Sequence, residues 1–259
     1  MISNILESGF YTLKNEKWLN DQRTAGKVLA GAMRQMEMML APGISTKRIN
    51  DIGEEYIRSQ EGCIPTFKGY LGFPEAVCCS INKNIVHGIP KETDIIKDGD
   101  IIKLDCGVTY NGAIADMART FAVGDIPIKY KLLIECCKKA LFNSIDYLNK
   151  NTNARLGDIG YIIKKTADSI GASVITELTG HGISENLPHA YPIINNIGEK
   201  DKGLRLYQGM TFAIEPMLNY GSNKIKLEND NWTISLMDIG VHEEDTIFIH
   251  SDRVEVITN

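Results

Sequence analysis

Apolar side chains recur every three to four positions in four stretches of the chain, which is the spacing of one buried helix face. The first stretch covers residues 16–40 and stops at Pro42, because proline cannot continue a helix. The second begins at Ser45 or Thr46, which are good N-caps, and ends at Gly62. The chain is therefore predicted to begin with two helices.

Two more helices are predicted in the middle of the chain. Asp125 and Pro127 open the first by the usual preferences for the N-cap and the first helical turn, and its apolar face continues to Leu148. The second runs from about Asp158 to Ile170. These helices follow residues 100–122, whose hydrophobic pattern is not that of a helix.

Residues 100–122 are typical of two strands joined by a tight turn. Asn111-Gly112 lies between the apolar runs and is the preferred dipeptide of a two-residue type I′ hairpin. A turn at this place sets the register of the two strands, in which Asp105 is opposite Ala118 and Asp116 is opposite Gly107.

Asp105 and Asp116 are predicted to lie in the strands of a half-buried sheet. Because side chains alternate along a strand, both carboxylates fall on one face as diagonal neighbours, roughly 7–8 Å apart at the backbone. A buried carboxylate is costly unless it is paired or bound to a metal. The hairpin is therefore interpreted as half of a metal site.

The rest of the chain is predicted to be mostly strand, at residues 76–81, 174–179, 210–218, 231–237, 240–250 and 253–258. The order is two helices, a hairpin, two helices and then strands. This order predicts one α+β domain over residues 1–259, with an N-terminal extension at 1–15 and two similar halves at roughly 16–150 and 151–259.

The composition, net charge and cysteine spacing of the chain limit the classes of protein to which it can belong. Hydrophobic residues make up 43% and charged residues 24%, which is ordinary for a soluble globular chain, and the net charge of −5 argues against a nucleic-acid surface. No signal peptide and no run of ~20 apolar residues is visible, so a cytoplasmic protein without a membrane span is expected. The six cysteines have neither zinc-ribbon nor secreted spacing, and are interpreted as reduced, buried thiols.

Aromatic residues recur in the glycine-rich segment 63–90. Phe67, Tyr70 and Phe73 follow one another at three-residue steps, which in a loop gives an aromatic wall. On residue types alone, a small hydrophobic core under the loop is favoured over a binding pocket. His87, in V-H-G-I-P, is by itself more typical of a structural histidine.

Three later residues belong with the two aspartates. His181 lies between glycines after the predicted strand 174–179, Glu215 lies in the middle of an apolar strand, and Glu244 enters another. Singly, they are explained as a capped loop histidine, an ion-paired glutamate and an edge-strand glutamate. Together the five side chains suit Mn²⁺, Fe²⁺, Co²⁺ or Zn²⁺, and a carboxylate-bridged pair of ions is one arrangement they allow.

Over residues 20–258 the chain resembles the type I methionine aminopeptidases, in the "pita-bread" metallopeptidase family M24. The matching stretches are L-A-P-G-I-S-T, F-K-G-Y-L-G-F-P-E-A-V-C, V-H-G-I-P, D-G-D-I-I-K-L-D-C-G, D-M-A-R-T-F, T-G-H-G-I, G-M-T-F-A-I-E-P-M and E-D-T. The resemblance implies a pseudo-twofold domain with a curved antiparallel sheet covered by helices. It also implies removal of the initiator methionine from nascent proteins whose second residue is small.

The resemblance further implies the role of each site residue. Two divalent ions would be held by Asp105, Asp116, His181, Glu215 and Glu244, with Asp116 and Glu244 bridging, and a water between the ions would be the nucleophile. Glu215 would also handle the proton, and His87 and His189 would contact the substrate. The methionine pocket would be formed by Phe67, Tyr70, Phe73, Cys78 and Trp232. The implied partners are nascent N-termini, with docking on the ribosome left open, and a monomer is the simplest expectation.

Three features separate this chain from other versions of the family pattern. His189 and Glu215 are only 26 positions apart, which leaves no room for the insertion of type II enzymes. His181 and His189 are eight positions apart where the family has seven, and the loop at 184–190 is altered, so the role of His189 is the least certain. Glu243 replaces an aromatic or apolar residue and is expected to add negative charge beside the metals.

Two alternatives to a methionine aminopeptidase follow from these features. One is an enzyme of the same fold that acts on Xaa-Pro or small amidino substrates, which the aromatic pocket and the V-H-G-I-P match argue against. The other is a catalytically weakened homologue that binds partners, which only the altered loop supports.

Overall fold

A computed structural model describes residues 11–259, so most of the predicted extension at 1–15 lies outside the described residues. The helices of the described part are α1 (Glu16–Met38), α2 (Thr46–Ser59), α3 (Ile128–Lys150) and α4 (Leu156–Asp168). Asn15 caps α1 and Ser45 caps α2 through their side chains. Asp125 does not cap α3 as predicted. Pro127 holds the cap position, where its fixed φ suits the entry into the helix.

The strands of the described part are short except at the hairpin. They are β1 (Cys63–Pro65), β2 (Val77–Ile81), β3 (Asn84–Val86), β4 (Ile101–Tyr110), β5 (Ala113–Ala122), β6 (Ser173–Val174), β7 (Thr179–Ser184), β8 (Leu187–Asn195), β9 (Thr211–Ile214), β10 (Met217–Asn219), β11 (Lys226–Leu227), β12 (Ile234–Ser235), β13 (Gly240–His242), β14 (Glu244–Ile249) and β15 (Val254–Val256).

Nine of these strands form one antiparallel sheet in the order β1-β4-β5-β14-β9-β7-β8, with β2 added on β4 and β15 on β14. The hairpin register is confirmed, since Asp105 pairs with Ala118 and Asp116 with Gly107. Both turn residues, Asn111-Gly112, have positive φ, as a type I′ turn requires.

The prediction that this sheet is half-buried is wrong for the hairpin. Nearly every residue of β4 and most of β5 are buried, on both faces of the strands. The reason is that α1 packs on both strands of the hairpin, and the short strands β3 and β13 also lie against it. The carboxylates of the hairpin are therefore enclosed more completely than a half-buried sheet would enclose them.

Each pair of helices packs on its own part of the large sheet. From α1 and α2, Leu29 and Ile49 join a buried cluster with Leu104. From α3 and α4, buried residues join a second cluster with Phe212 and Ile247. The pseudo-twofold relation of the two halves stays a prediction.

Three predicted strands turn out to be broken, and for one reason. Residues 174–179 divide into β6 and β7, residues 210–218 into β9 and β10, and residues 240–250 into β13 and β14. In each case one piece belongs to the large sheet and the other to a small sheet of order β13-β10-β6. The three neighbouring strands therefore pass together from one sheet into the other, and we call the line on which they bend the sheet crossing.

The predicted strand at 231–237 also shortens, to β12, which joins β11 and β3 in a third sheet. The six cysteines all lie in the described range, where they are buried and free, as predicted. Within residues 11–259, no helix has the length and apolar character needed to cross a membrane.

The C-terminal strand is tied to α1 by an ion pair that predicts how stability depends on pH. Arg23 donates from Nε and an Nη atom to the two carboxylate oxygens of Glu255, at 2.6 and 2.7 Å. This contact lowers the pKa of Glu255 to about 2. Because the folded pKa lies below the unfolded one, the pair stabilises the protein above about pH 4.5, and that contribution disappears as pH falls towards 2.

Glu255→Gln is therefore expected to lower the free energy of unfolding by about 0.5–1 kcal/mol near neutral pH and by almost nothing near pH 2. Urea unfolding at a series of pH values measures both. Glu16→Gln is the matched control, since Glu16 is largely exposed and lies 3.9 Å from Arg23. A loss from Glu255→Gln that is the same at every pH would contradict the prediction.

Candidate active site

The two aspartates of the hairpin lie on neighbouring strands of the large sheet, as diagonal neighbours that both belong to the site. Asp105 is on β4 and Asp116 on β5, and both side chains are buried. The hydroxyl of Thr246 on β14 holds the backbone of Asp116, since Oγ1 donates to the Asp116 carbonyl oxygen and accepts from the Asp116 N–H, both at 2.8 Å. The strand pairing and this clamp fix where the carboxylates sit.

The other three predicted ligands lie at or beside the sheet crossing. His181 lies within β7, not after a strand as predicted. Glu215 lies in the break between β9 and β10, not in mid-strand, because Pro216 has no N–H to continue the pairing. Glu244 begins β14, which is an interior strand between β5 and β9 and not an edge.

These five side chains converge. His181 Nε2 lies 3.5 Å from Glu215 Oε1, 3.8 Å from Glu244 Oε1 and 3.9 Å from Asp116 Oδ2. Potential ligand atoms lie within 4.8 Å of one another in three overlapping groups, which are Asp105–Asp116–Glu244, His181–Glu215–Glu244 and Asp116–His181–His189. Asp116, His181 and Glu244 each belong to two of the groups.

The buried carboxylate oxygens of this cluster favour a bound cation. Within the described residues, Asp105 Oδ1, Asp116 Oδ2 and Glu244 Oε1 are buried without a hydrogen-bond partner. Burial raises the pKa of Asp105 and of Glu215 to about 7, and burial together with neighbouring carboxylates raises the pKa of Asp116 and of Glu244 well above the ordinary value. A divalent cation would satisfy these oxygens, and four carboxylates with one imidazole form a donor set that fits it.

Glu243 does not act as expected from the sequence. Its carboxylate accepts a hydrogen bond from the Thr120 N–H at 3.1 Å and lies 3.9 Å from Arg119 Nε, so it faces a cation and not the cluster. Arg119 also donates to the carbonyl oxygen of Glu244 and to Asp245 Oδ1 at 2.6 Å. The charge of Glu243 is therefore compensated within a network that holds the backbone of Glu244.

A cavity of about 300 Å³ opens over the cluster. Its lining includes every predicted ligand and both predicted substrate histidines, together with Phe67, Val86, Glu177, Leu178, Thr179, Met217 and Ile234. His87 adopts a left-handed backbone conformation with φ 56°, which is uncommon for a residue other than glycine and aims its ring into this space.

A smaller cavity adjoins the first and has an aromatic wall. Its lining consists of Phe67, Tyr70, Phe73, Cys78, His87, Asp105, His189 and Trp232. The Phe73 and Trp232 rings meet edge to face with centroids 5.2 Å apart, and Cys78 is directly opposite Asp105 in the β2–β4 pairing. The aromatic residues are thus packed on one another, as the small-core interpretation requires, and also border open space beside Asp105.

The altered loop still brings His189 to the site. The β7–β8 pairing shifts register on both sides of Gly182, next to His181. The His189 ring lies 4.4 Å from the His181 ring and 5.4 Å from that of Tyr70, between centroids. Its assigned role stays a prediction, but the extra residue does not remove it from the cavity.

Sequence reasoning missed one buried residue of this region, His242. Its Nε2 lies 3.3 Å from Glu215 Oε2 and 3.9 Å from Glu244 Oε2. The available signal was a histidine two positions before Glu244 in a buried strand. Only the pairing of Met217 with His242 reveals that it lies beside Glu215.

Known proteins match the chain over most of its length. Residues 20–251 match the model of metallopeptidase family M24. A methionine aminopeptidase of Clostridium perfringens is 38% identical over 248 residues, covering 95% of this chain and 98% of the relative. The crystal structure of methionine aminopeptidase from Rickettsia prowazekii is 35% identical and superposes with a TM-score of 0.91, over 96% of this chain and all of that one.

A more distant likeness concerns the fold alone. A prolidase from Pyrococcus furiosus is 19% identical, with a TM-score of 0.74 over 95% of this chain and 65% of that one. The high-coverage matches share the pita-bread fold expected from the sequence, in which helices cover a curled antiparallel sheet. By family match, by sequence identity and by fold, this chain belongs to the metallopeptidase family M24.

Proposed function

We propose that the protein acts as a methionine aminopeptidase, which hydrolyses the peptide bond after an N-terminal methionine. One observation carries the proposal: the aromatic cavity and the carboxylate–imidazole cluster share Asp105, His87 and His189 as walls. A substrate side chain held in the aromatic cavity would place the substrate's own backbone over the carboxylate–imidazole cluster. The names and the high identity of the relatives support the same activity.

The cluster would hold two divalent ions, of Mn, Fe, Co or Zn. As the family resemblance implies, Asp105 would belong to one ion and His181 with Glu215 to the other, while Asp116 and Glu244 would be shared. Glu244 occurs both in the ligand group of Asp105 and in that of His181 and Glu215. When bound, such ions lower the pKa of a coordinated water towards neutrality and polarise the carbonyl to be attacked. The sheet pairing of the hairpin and the sheet crossing would keep the donors at fixed separations.

The chain's own groups would orient the substrate and move the proton. Glu215 would accept a proton at a carboxylate oxygen and return it to the leaving amine. Burial lowers the pKa of His87 to about 4, so its ring is neutral near pH 7 and offers one donor and one acceptor to the substrate's nitrogen. His189 would donate to the scissile carbonyl oxygen, where negative charge develops.

The smaller cavity would take the methionine side chain. A thioether makes favourable contacts with ring edges, and Phe67, Tyr70, Phe73 and Trp232 supply them with Cys78 at the base. The substrates would then be N-termini of nascent polypeptides whose second residue is small, and the enzyme would act in the cytoplasm. Docking on the ribosome and a monomeric state stay predictions.

A peptide assay tests this function. Purified protein is incubated with Met-Ala-Ser and with proline-containing peptides, in Mn²⁺, in Co²⁺ and with a chelator, and released amino acids are measured. Metal-dependent release of methionine from Met-Ala-Ser is expected. Release only before proline would instead support an Xaa-Pro enzyme, and no turnover despite bound metal would support a catalytically weakened binding protein.

The pocket makes a separate prediction for Trp232→Ala. Because an apolar contact in a specificity pocket is worth about 1–3 kcal/mol, kcat/KM for Met-Ala-Ser is expected to fall about 10–100-fold. Trp18→Ala is the matched control, since Trp18 is partly buried on α1 and does not line either cavity. Equal kinetics of the two variants would show that Trp232 does not contact the methionine side chain.

A further inference from the structure

We propose that His242 is a positioning residue, which orients the carboxylate of Glu215 from behind the cavity. The proposal rests on the proposed function, in which Glu215 both binds metal and handles the proton. His242 does not line the cavity, so it would act through Glu215 and not on the substrate.

The backbone of His242 is held on both sides. Thr120 of β5 accepts from the His242 N–H at 2.9 Å and donates to its carbonyl oxygen at 2.7 Å. On the other side, His242 pairs with Met217, two residues after Glu215. The ring is fully enclosed, with 1% of the residue exposed, so its direction is set by these contacts.

Glu215 is the carboxylate that lies nearest to the ring. Its Nε2 is 3.3 Å from Glu215 Oε2, while the other oxygen, Oε1, is 3.5 Å from His181 Nε2. Within the described residues, neither ring nitrogen of His242 makes a hydrogen bond. A buried imidazole without a partner is costly, and the nearest acceptors are the carboxylates of Glu215 and Glu244.

This arrangement gives the two oxygens of Glu215 different tasks. A proton on His242 Nε2 would be donated to Oε2, and a hydrogen bond to a charged acceptor is roughly twice as strong as a neutral one. A carboxylate held at one oxygen cannot rotate freely about its last bond. Its plane is then fixed, and Oε1 stays turned towards His181 and the cavity.

Three substitutions test the donor. His242→Leu keeps volume but has no donor, His242→Gln keeps a neutral donor on a side chain of similar reach, and His242→Asn keeps a donor that is one methylene shorter. Substitution of a group that orients a metal ligand typically lowers metal affinity or activity 10–100-fold. We expect His242→Leu and His242→Asn to weaken Mn²⁺ binding about 10–100-fold and His242→Gln to remain within about threefold of the wild type.

Mn²⁺ affinity is measured by titration calorimetry on the full chain, and kcat/KM on Met-Ala-Ser is measured beside it. His250→Leu is the matched control, because His250 Nε2 pairs with Glu255 Oε2 at 2.7 Å, outside the site. That variant is expected to bind Mn²⁺ as the wild type does. Thermal unfolding shows which variants are folded, and if His242→Leu is not, the comparison of His242→Gln with His242→Asn decides.

Unchanged Mn²⁺ affinity in His242→Leu and His242→Asn would overturn the proposal, as would equal losses in His242→Gln and His242→Asn. The calorimetric result does not depend on peptide hydrolysis. If the wild type binds Mn²⁺ but releases no methionine, the proposed function fails, while the ranking of the His242 variants still tests their effect on Glu215.

Discussion

Asp116→Asn is expected to lower kcat/KM for Met-Ala-Ser by about a thousandfold or more. Asp116 belongs to two of the three ligand groups, so its loss removes a negative donor from both proposed ions. Metal ions contribute several kcal/mol to transition-state stabilisation, and each 1.36 kcal/mol is tenfold, which gives about 10³-fold for their displacement. Metal content by atomic emission and steady-state kinetics measure the two consequences together.

Asp158→Asn is the control for this substitution. Asp158 is as deeply buried as Asp116, but it accepts hydrogen bonds from the N–H groups of Arg155 and Asp201 at the start of α4. Its replacement is expected to cost about 1 kcal/mol of stability and no activity. If Asp116→Asn keeps the metal content and turnover of the wild type, the proposed ligand set is wrong.

Chelation of divalent ions is expected to abolish methionine release and to lower the melting temperature. Without a cation, four carboxylates face one another in a buried space and have no counter-charge. A ligand present at 100 times its Kd stabilises the folded state by about 2.7 kcal/mol, or about 5–10 °C for a chain of this size. Differential scanning calorimetry with and without EDTA measures the shift, and added Mn²⁺ is expected to reverse it.

His181→Ala provides the comparison for chelation, because it removes the imidazole shared by two ligand groups. The melting temperature of that variant is expected to respond weakly to EDTA. A wild-type protein that retains both its activity and its melting temperature in EDTA would contradict a metal-dependent site, as would full metal content and activity in His181→Ala.

The hairpin half of the site was predictable because local signals determine it. Asn111-Gly112 set the turn, and the two-residue period of the strands then placed Asp105 and Asp116 on one face. No distant contact was needed for this result. The aromatic wall is different, since residue types favoured a small core and only the family resemblance indicated a pocket.

The sheet crossing was not predictable from hydrophobic pattern. Residues 210–218 are apolar except for Thr211 and Glu215, and this pattern is the same whether a strand stays in one sheet or passes into another. Pro216 marked the break, but the pairing of β10 with β6 and β13 that causes it involves residues far away in sequence. His242 was missed for the same reason, because its proximity to Glu215 exists only through that pairing.

The sheet crossing also connects the site to the small sheet of order β13-β10-β6. The strands β14, β9 and β7 run in the same neighbour order as their continuations β13, β10 and β6, so the three bend together as one ribbon. Glu215 lies in the bend and Glu244 directly after it, where it pairs with Ala118 of β5, while Asp105 and Asp116 lie in the large sheet alone. We therefore expect the separation between Glu215 and the two aspartates to be set in part by the small sheet, where Leu218 pairs with Val174 away from the proposed ligands.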